Sequence, residues 1–286
     1  MRVSERFNRL ILNPYFKNNF FICLFRFFRW YSYKFLNKSE VVIRIFNSSI
    51  LEIKVDSLSR LGIHGYTFIY RGMLDPLVPY SIDKYISDGD YVLDIGANFG
   101  LWSFRMSELV GERGKVFSFE PLTKNIELFK RNLTLNNYAN IVLHECGLGN
   151  ENKELTIYEG FDLGSTSLIK TDNLKFTGFT QDILIKRLDE FTFDKPISFV
   201  KLDVEGFEMY VLSGMKSFLL HNRPIFAIEI NEQQLLGSGF IPMDILIFFK
   251  NYQYKLYKLS EDVDVEIEAF EDDGDYLLKP TNFLNI

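Results

Sequence analysis

From Asp90 to Ile230, short apolar runs alternate with amphipathic stretches at the spacing of a parallel α/β sheet. Tyr91–Ile95, Lys115–Phe119, Asn140–His144, Ser198–Asp203 and Ile225–Ile230 are short and almost continuously apolar, as buried strands are. Between them, Phe99–Val110, Lys124–Asn136 and about Phe207–Leu220 repeat their apolar positions at helical spacing. The connections are only a few residues long, so right-handed crossovers are expected. Thr156–Tyr158 and Ile183–Leu188 read as extra strands around a Gly/Ser/Thr loop at 160–167. Tyr254–Leu259 and Tyr276–Leu278 predict a terminal antiparallel hairpin.

Upstream the period changes. Val41–Val55 has the β-branched content of a hairpin turning at Asn47-Ser48-Ser49, and a helix is predicted from about Pro76 to Ser87. Residues 14–36 form a basic, aromatic-rich amphipathic helix. At about 100° per residue, Asn18, Asn19, Arg26, Arg29 and Ser32 share one arc, with Phe20, Leu24, Phe27, Phe28, Tyr31 and Phe35 on the other side. Lys17, Arg26, Arg29 and Lys34 interrupt the apolar run and no small-residue cleavage site follows, so neither a membrane span nor a signal peptide is expected. Two destinations compete for the apolar face: the domain itself or a second copy, and an anionic membrane surface met through aromatic and cationic residues together. The chain therefore divides into a helical segment 1–38, a hairpin and helix extension 39–88, and a main domain 89–286.

Composition narrows the setting. The 286 residues are 47% apolar and 24% charged, enough for a full core. Two cysteines (Cys23, Cys146) and three histidines (His64, His144, His221) assemble no zinc-ligand spacing. A reducing cytoplasm is the expected compartment, with peripheral contact on the inner face of a membrane open to the helix. The net charge of −6 hides a split: residues 1–38 carry eight bases against Glu5 alone, giving +7 and leaving −13 for the rest. So acidic a body excludes a broad nucleic-acid footprint. Nine carboxylates without a base at 261–275 lack the spacing of an EF-hand and read as a solvated turn.

The candidate chemistry begins at Asp94-Ile95-Gly96-Ala97-Asn98-Phe99-Gly100, where the first strand gives way to a helix. Gly96 and Gly100 let the backbone turn sharply and approach a ligand, and the N–H groups opening the helix face whatever binds. Twenty residues after Gly100, Glu120 closes the second strand, where a carboxylate accepts hydrogen bonds from the two hydroxyls of a ribose. Two adenosine-containing ligands compete for this arrangement. A nicotinamide dinucleotide would set its pyrophosphate beside the Asp94 charge, and its usual three-glycine spacing is absent. The ammonium group of S-adenosylmethionine is instead complementary to Asp94. Glu145 or Cys146, after the third strand, is a candidate for the adenine edge.

A second constellation, KLDVEGFE at 201–208, ends the fourth strand beside the same crevice. Asp203 and Glu205 can orient a substrate hydroxyl or take its proton, whereas Glu208 opens the next helix, where capping is equally natural. Glu229, within AIEIN at 227–231, is a carboxylate in a run too apolar to bury it without a task or a partner, Lys201 being one candidate. His144 ends the third strand and reads as a structural residue before a general base. No Asn/Asp-Pro-Pro-Tyr/Phe signature for a planar amino nitrogen occurs, which moves the methyl acceptor toward oxygen.

Four blocks, VLDIGANFG (92–100), FSFEP (117–121), GSTSL with IKRLDEF (164–168, 185–191) and KLDVEGFEMYVLSG with AIEIN (201–214, 227–231), resemble those of the FkbM-type methyltransferases. The resemblance covers about Tyr70 to Asn231 and joins the chain to the class I S-adenosylmethionine-dependent enzymes. It implies a Rossmann-like, mostly parallel seven-stranded sheet with helices on both faces. It also implies S-adenosyl-L-methionine as cofactor at Asp94, Gly96, Asn98, Gly100 and Glu120, and O-methylation of a natural product or of a sugar in glycan biosynthesis. The catalytic candidates are Asp203, Glu205 and Glu229, and no metal is required. A cofactor-fold scaffold without catalysis, or recruited to a membrane for assembly, is the reading from another class, and a nicotinamide oxidoreductase is the rival enzyme.

Overall fold

The computed structural model describes residues 14–46, 49–55, 63–71, 73, 77–160, 166–167, 176–260 and 263–281. The hairpin turn at 47–48, most of the Gly/Ser/Thr loop and the bases Arg2, Arg6 and Arg9 lie outside the described residues. Helices α1 (Pro14–Asn18) and α2 (Phe20–Phe35) come first, then the hairpin β1 (Glu40–Arg44) and β2 (Ile50–Lys54), α3 (Ile63–Tyr70) and α4 (Leu77–Tyr85). The alternating part runs β3 (Tyr91–Ile95), α5 (Leu101–Val110), β4 (Lys115–Phe119), α6 (Thr123–Asn136) and β5 (Ile141–His144). A side sheet follows, of β6 (Gly147–Leu148), β7 (Lys153–Gly160), β8 (Thr166–Ser167) and β9 (Phe176–Lys186). The main sheet resumes with β10 (Ile197–Leu202), α7 (Glu208–Ser213), α8 (Lys216–His221) and β11 (Ile225–Ile230). It closes with α9 (Glu232–Gly237), α10 (Pro242–Asn251), β12 (Tyr254–Lys258), β13 (Val265–Ile267) and β14 (Gly274–Pro280).

The main sheet has the order β13-β12-β14-β11-β10-β3-β4-β5. Strands β11, β10, β3, β4 and β5 pair in parallel, and β14, β12 and β13 add antiparallel pairs at one side. Seven of these strands meet the expectation; the eighth, β13, is a three-residue piece on the outer edge of β12. Every residue of β3 is buried, as a strand with neighbours on both sides and layers on both faces requires. The chain leaves β3 for β4 on one side and returns to β10 on the other, so a crevice opens at the carboxyl ends of β3 and β10. The helix expected over 207–220 is two, α7 and α8. A Cβ at Gly214 would stand 1.8 Å from the Gly149 carbonyl oxygen, and that close crossing of two backbones interrupts the helix. Helices α9 and α10 were not expected; their N-termini are satisfied by Asn231, which accepts from the Gln234 N–H at 3.1 Å, and Asp244, which accepts from the Ile241 N–H at 2.9 Å.

Helix α2 docks on α3 with a different face from the one expected. Cys23 and Trp30 are buried, and the Trp30 ring lies 5.4 Å from that of Phe68. Arg26, placed by the sequence among outward polar residues, turns inward: its Nη1 donates to the Ile69 carbonyl at 3.0 Å and to the Tyr15 hydroxyl at 3.3 Å. Carbonyls in the last turn of a helix lack intrahelical partners, and a guanidinium there supplies both the hydrogen bond and a favourable charge. The helix is rotated accordingly, and Phe20, Phe28, Tyr31 and Phe35 are exposed. The β1–β2 hairpin is fixed to α6 by Asn132 and Asn136, whose Oδ1 atoms accept from the N–H groups of Glu52 at 2.7 Å and Ile50 at 2.6 Å. Among the described residues, no helix is long and apolar enough to cross a membrane.

Candidate active site

The loop after β3 holds three residues in left-handed conformation, Gly96 (φ 86°), Asn98 (φ 52°) and Gly100 (φ 95°). Glycine adopts this region freely and asparagine tolerates it. At Gly96 a side chain has no room, because a Cβ would meet the Asp203 carbonyl oxygen at 1.8 Å. The ends of β3 and β10 therefore touch backbone to backbone, held by the Asp203 N–H donating to the Ile95 carbonyl at 3.0 Å. Glu120 ties the loop to the end of β4. Its Oε2 accepts from the Asn98 N–H at 2.8 Å, and its Oε1 from the Leu122 N–H at 2.9 Å and the Asn125 Nδ2 at 3.1 Å. Burial pushes this carboxyl up to about 7 in spite of those three donors.

Gly96, Asn98, Glu120, Asp203 and Glu205 share the wall of one cavity with Ile63, Trp102, Leu148, Ile157, Ile183 and Ile185. Polar groups thus gather at the strand ends, and an apolar shelf comes from α3, α5 and the side sheet. At the end of β10, Lys201 is buried and its Nζ lies 2.8 Å from Asp203 Oδ2. Burial lowers Lys201, but Asp203, Asp275 and Asp94 outweigh it and keep the ammonium charged. Burial likewise raises Asp203, and the Lys201 charge with hydrogen bonds from Glu229 and Lys201 overcomes it, holding this carboxyl below its ordinary value. Glu229 faces Asp275 directly across the β11–β14 pair. Like charges so placed repel, and repulsion from Asp203, burial and Asp275 together push Glu229 well upward, which suits it to donate a hydrogen bond to Asp203.

Glu205 lies in left-handed conformation (φ 54°), strain that a non-glycine residue bears only where its surroundings hold it. Its Oε2 accepts from the Gln234 Nε2, and burial followed by repulsion from Asp203 raises it to about 8. Glu208 accepts from the N–H groups of Gly206 at 3.1 Å and Val204 at 3.4 Å, and so secures the turn that carries Glu205. These bonds go to the turn ahead of α7, and the helix itself has no side-chain cap. Burial raises Glu208 to about 7.

Five of the nine sequence candidates, Gly96, Asn98, Glu120, Asp203 and Glu205, meet on the cavity wall. The others stand behind it. Asp94 is buried, accepts from the Ser103 hydroxyl at 2.5 Å through Oδ2, and has no hydrogen-bond partner at Oδ1. Burial raises it to about 6. The third left-handed residue, Gly100, closes the loop against Phe104 and Phe129. Cys146 lies in the main core, and the positions beside it that reach the cavity are Gly147 and Leu148. Glu145 pairs with Lys130 at 2.6 Å, away from the wall. Glu229 hydrogen-bonds to Asp203, and the partner of Lys201 is Asp203. His144 stacks on Phe119 at 4.7 Å, and burial lowers it. Sequence reasoning missed Asn125, Ser103 and Gln234, ordinary polar residues on helices that no local motif distinguishes. Among the described residues no group of His, Cys, Asp and Glu side chains forms a metal site.

The profile of the methyltransferase FkbM domain matches residues 94–256. Methyltransferase 1 of Beauveria bassiana is 30% identical over 148 residues, which are 45% of this chain and 59% of that protein. A protein-L-isoaspartate O-methyltransferase of Methanococcoides burtonii is 37% identical over 67 residues, 22% of this chain and 33% of that one. The crystal structure of methyltransferase FkbM from Methylobacillus flagellatus aligns with 74% of this chain and 52% of its own at 20% identity, with a TM-score of 0.44. The chain thus spans less than two thirds of the length of each of these relatives.

Proposed function

The chain belongs to the FkbM methyltransferase family, and we propose that it methylates a hydroxyl of a sugar in a glycan, or of a natural product, with S-adenosylmethionine as donor. When bound, this cofactor supplies a methyl group made electrophilic by its sulfonium. The residues present suit it. Glu120 would accept from the ribose hydroxyls, the backbone of Gly96–Asn98 would lie along it, and the apolar shelf at Leu148, Ile183 and Ile185 would cover the adenine ring. Asp94, fully buried behind the loop, keeps an unpartnered Oδ1 whose charge would favour the ammonium group from across Gly96 without touching it.

The observation that carries the reading is the pair of carboxyls at the end of β10 with opposite protonation tendencies. Asp203 is held ionised by Lys201 and Glu229, while Glu205 is raised to about 8. When a hydroxyl oxygen forms its bond to the methyl carbon, the O–H proton has to leave, and Glu205 has the affinity to receive it on a carboxylate oxygen near neutral pH. Asp203 fixes the acceptor by taking a hydrogen bond from a neighbouring hydroxyl, and saccharides offer hydroxyls in such pairs. Alignment of donor and acceptor supplies the remainder of the rate enhancement.

The test is incubation of the protein with methyl-deuterated S-adenosylmethionine and separate glycan and small-metabolite extracts, read by mass spectrometry of products and calorimetry of cofactor binding. Labelled methyl ethers are expected, lost by about a hundredfold or more in Glu205→Gln while that variant still binds cofactor. Label on nitrogen, or undiminished turnover by Glu205→Gln, refutes the reading. Preferential binding of a nicotinamide dinucleotide refutes the cofactor.

A further inference from the structure

We propose that the outward face of α2 is a docking surface for an anionic lipid bilayer, on which the helix lies in the plane of the headgroups. The first observation is that α2 is already fixed to the domain by one face and still presents a second apolar one. Cys23 and Trp30 are 0% and 2% exposed, whereas Phe21, Phe25, Phe28 and Phe35 are 84%, 62%, 63% and 86% exposed. At about 100° per residue these four phenylalanines fall within an arc of roughly 80°, too narrow and too aromatic for scattered surface apolar residues. A helix of 16 residues is about 24 Å long and carries cations along its length, so it lies on a bilayer and does not cross it.

The second observation is charge. Lys17, Arg29 and Lys38 are exposed along the same segment, and no acidic residue occurs between Glu5 and Glu40. Arg29 and Lys38 lie at 5.3 and 5.0 Å over the ring of Tyr33, which is half-buried against Phe68, so these two cations flank the aromatic arc on its side toward the domain. The remaining 248 residues sum to −13, so an anionic surface repels the body and attracts only this segment, which sets one orientation. A two-fold partner copy would set these bases against their own equivalents with no acid from the segment to answer them, and charge therefore favours lipid over self-association. The docking does not depend on which acceptor is methylated.

The experiment is flotation of the full chain with phosphatidylcholine vesicles and with vesicles that also contain phosphatidylglycerol. Two variants are compared, Phe21→Ser/Phe25→Ser/Phe28→Ser/Phe35→Ser and Lys17→Gln/Arg29→Gln/Lys38→Gln, with sedimentation velocity in parallel. Binding to the phosphatidylglycerol vesicles is expected, weakened about tenfold or more by either variant and by high salt. The charge variant alters only exposed polar groups and keeps the test valid should the aromatic variant fold poorly. Equal binding to neutral vesicles, absence of flotation, or a dimer that the aromatic variant abolishes in place of vesicle binding overturns the proposal.

Discussion

Substituting Gly96 by alanine tests how the cofactor loop is built. The new Cβ would lie 1.8 Å from the Asp203 carbonyl oxygen, where ordinary carbon–oxygen contact requires roughly 3.3 Å, so the ends of β3 and β10 must part by about 1.5 Å. That motion strains or breaks the hydrogen bond from the Asp203 N–H to the Ile95 carbonyl, worth about 1 kcal/mol. The left-handed backbone costs alanine a further 1–2 kcal/mol, roughly, and crowding adds about 1–3 kcal/mol. The sum is about 3–6 kcal/mol. Gly89→Ala is the matched control, because Gly89 also has a left-handed φ of 91° but nothing within 4 Å of its Cβ position. It should lose only the backbone contribution, about 1–2 kcal/mol. Urea denaturation measures both stabilities, and calorimetry with S-adenosylmethionine measures the consequence for the site. Gly96→Ala should bind at least tenfold more weakly than Gly89→Ala, since moving one strand end displaces both the loop and Asp203. Equal stability of the two variants with equal cofactor affinity would refute the geometry argued for the loop.

Three further outcomes follow from the carboxyl network. The rate at limiting acceptor should rise with pH and level off above about 8, and Glu205→Gln should flatten that rise; a wild-type profile flat from pH 6 to 9 would remove Glu205 as the proton acceptor. Lys201→Met leaves Asp203 without its buried partner and should destabilise the protein by about 3–5 kcal/mol in urea titration, whereas a change under about 1 kcal/mol would show the pair to be dispensable. Burial raises Asp94 to about 6, Glu120 and Glu208 to about 7, and Glu205 to about 8, so across this range the folded chain binds more protons than the unfolded one. Their contribution is fully present below the ordinary carboxylate values of 3.8 and 4.5 and is lost as pH rises through 6 to 8. His144, lowered by burial, acts in the opposite sense below its ordinary 6.5 but is one group against four. The melting temperature of the cofactor-free protein should therefore fall between pH 5 and pH 8, and a rise across that window would contradict the assignment.

The scaffold of the site was legible where the sequence allows one local solution. The apolar runs of β3, β4 and β11 have turn or acid residues at both ends, and their observed bounds match those expected. Gly96, Glu120 and Asp203 could be placed at strand ends because the alternation of elements determines which end of each parallel strand faces the crevice. What escaped the sequence depends on partners distant along the chain. The rotation of α2 is decided by the Ile69 carbonyl, 43 residues from Arg26. Glu229 is pushed well above its ordinary value because Asp203 and Asp275 stand near it, one on β10's end and one across an antiparallel pair. Asp94 turns to Ser103 behind the loop, and Gln234 reaches Glu205 from a six-residue helix that no periodicity announced. A hydrophobic pattern records which residues are inside; it carries no record of which polar group meets which.

The protonated carboxyls around the cavity make it an exchanger of positive charge. Glu120 and Glu205, raised to about 7 and about 8, hold protons in part near neutrality, and Glu229 behind them is pushed well upward by Asp203 and burial. A ligand with net positive charge that settles there lowers the proton affinity of each, so its arrival expels protons into solvent. Binding heats should then scale with the ionisation enthalpy of the buffer, the slope counting the protons released. Transfer of the methyl group removes the sulfonium charge from the ligand. The protons then return, and the carboxyls that admitted a cation hold its neutral product less firmly. A chain that bears its carboxyls half protonated thereby gains a way to distinguish fresh donor from spent donor by charge alone.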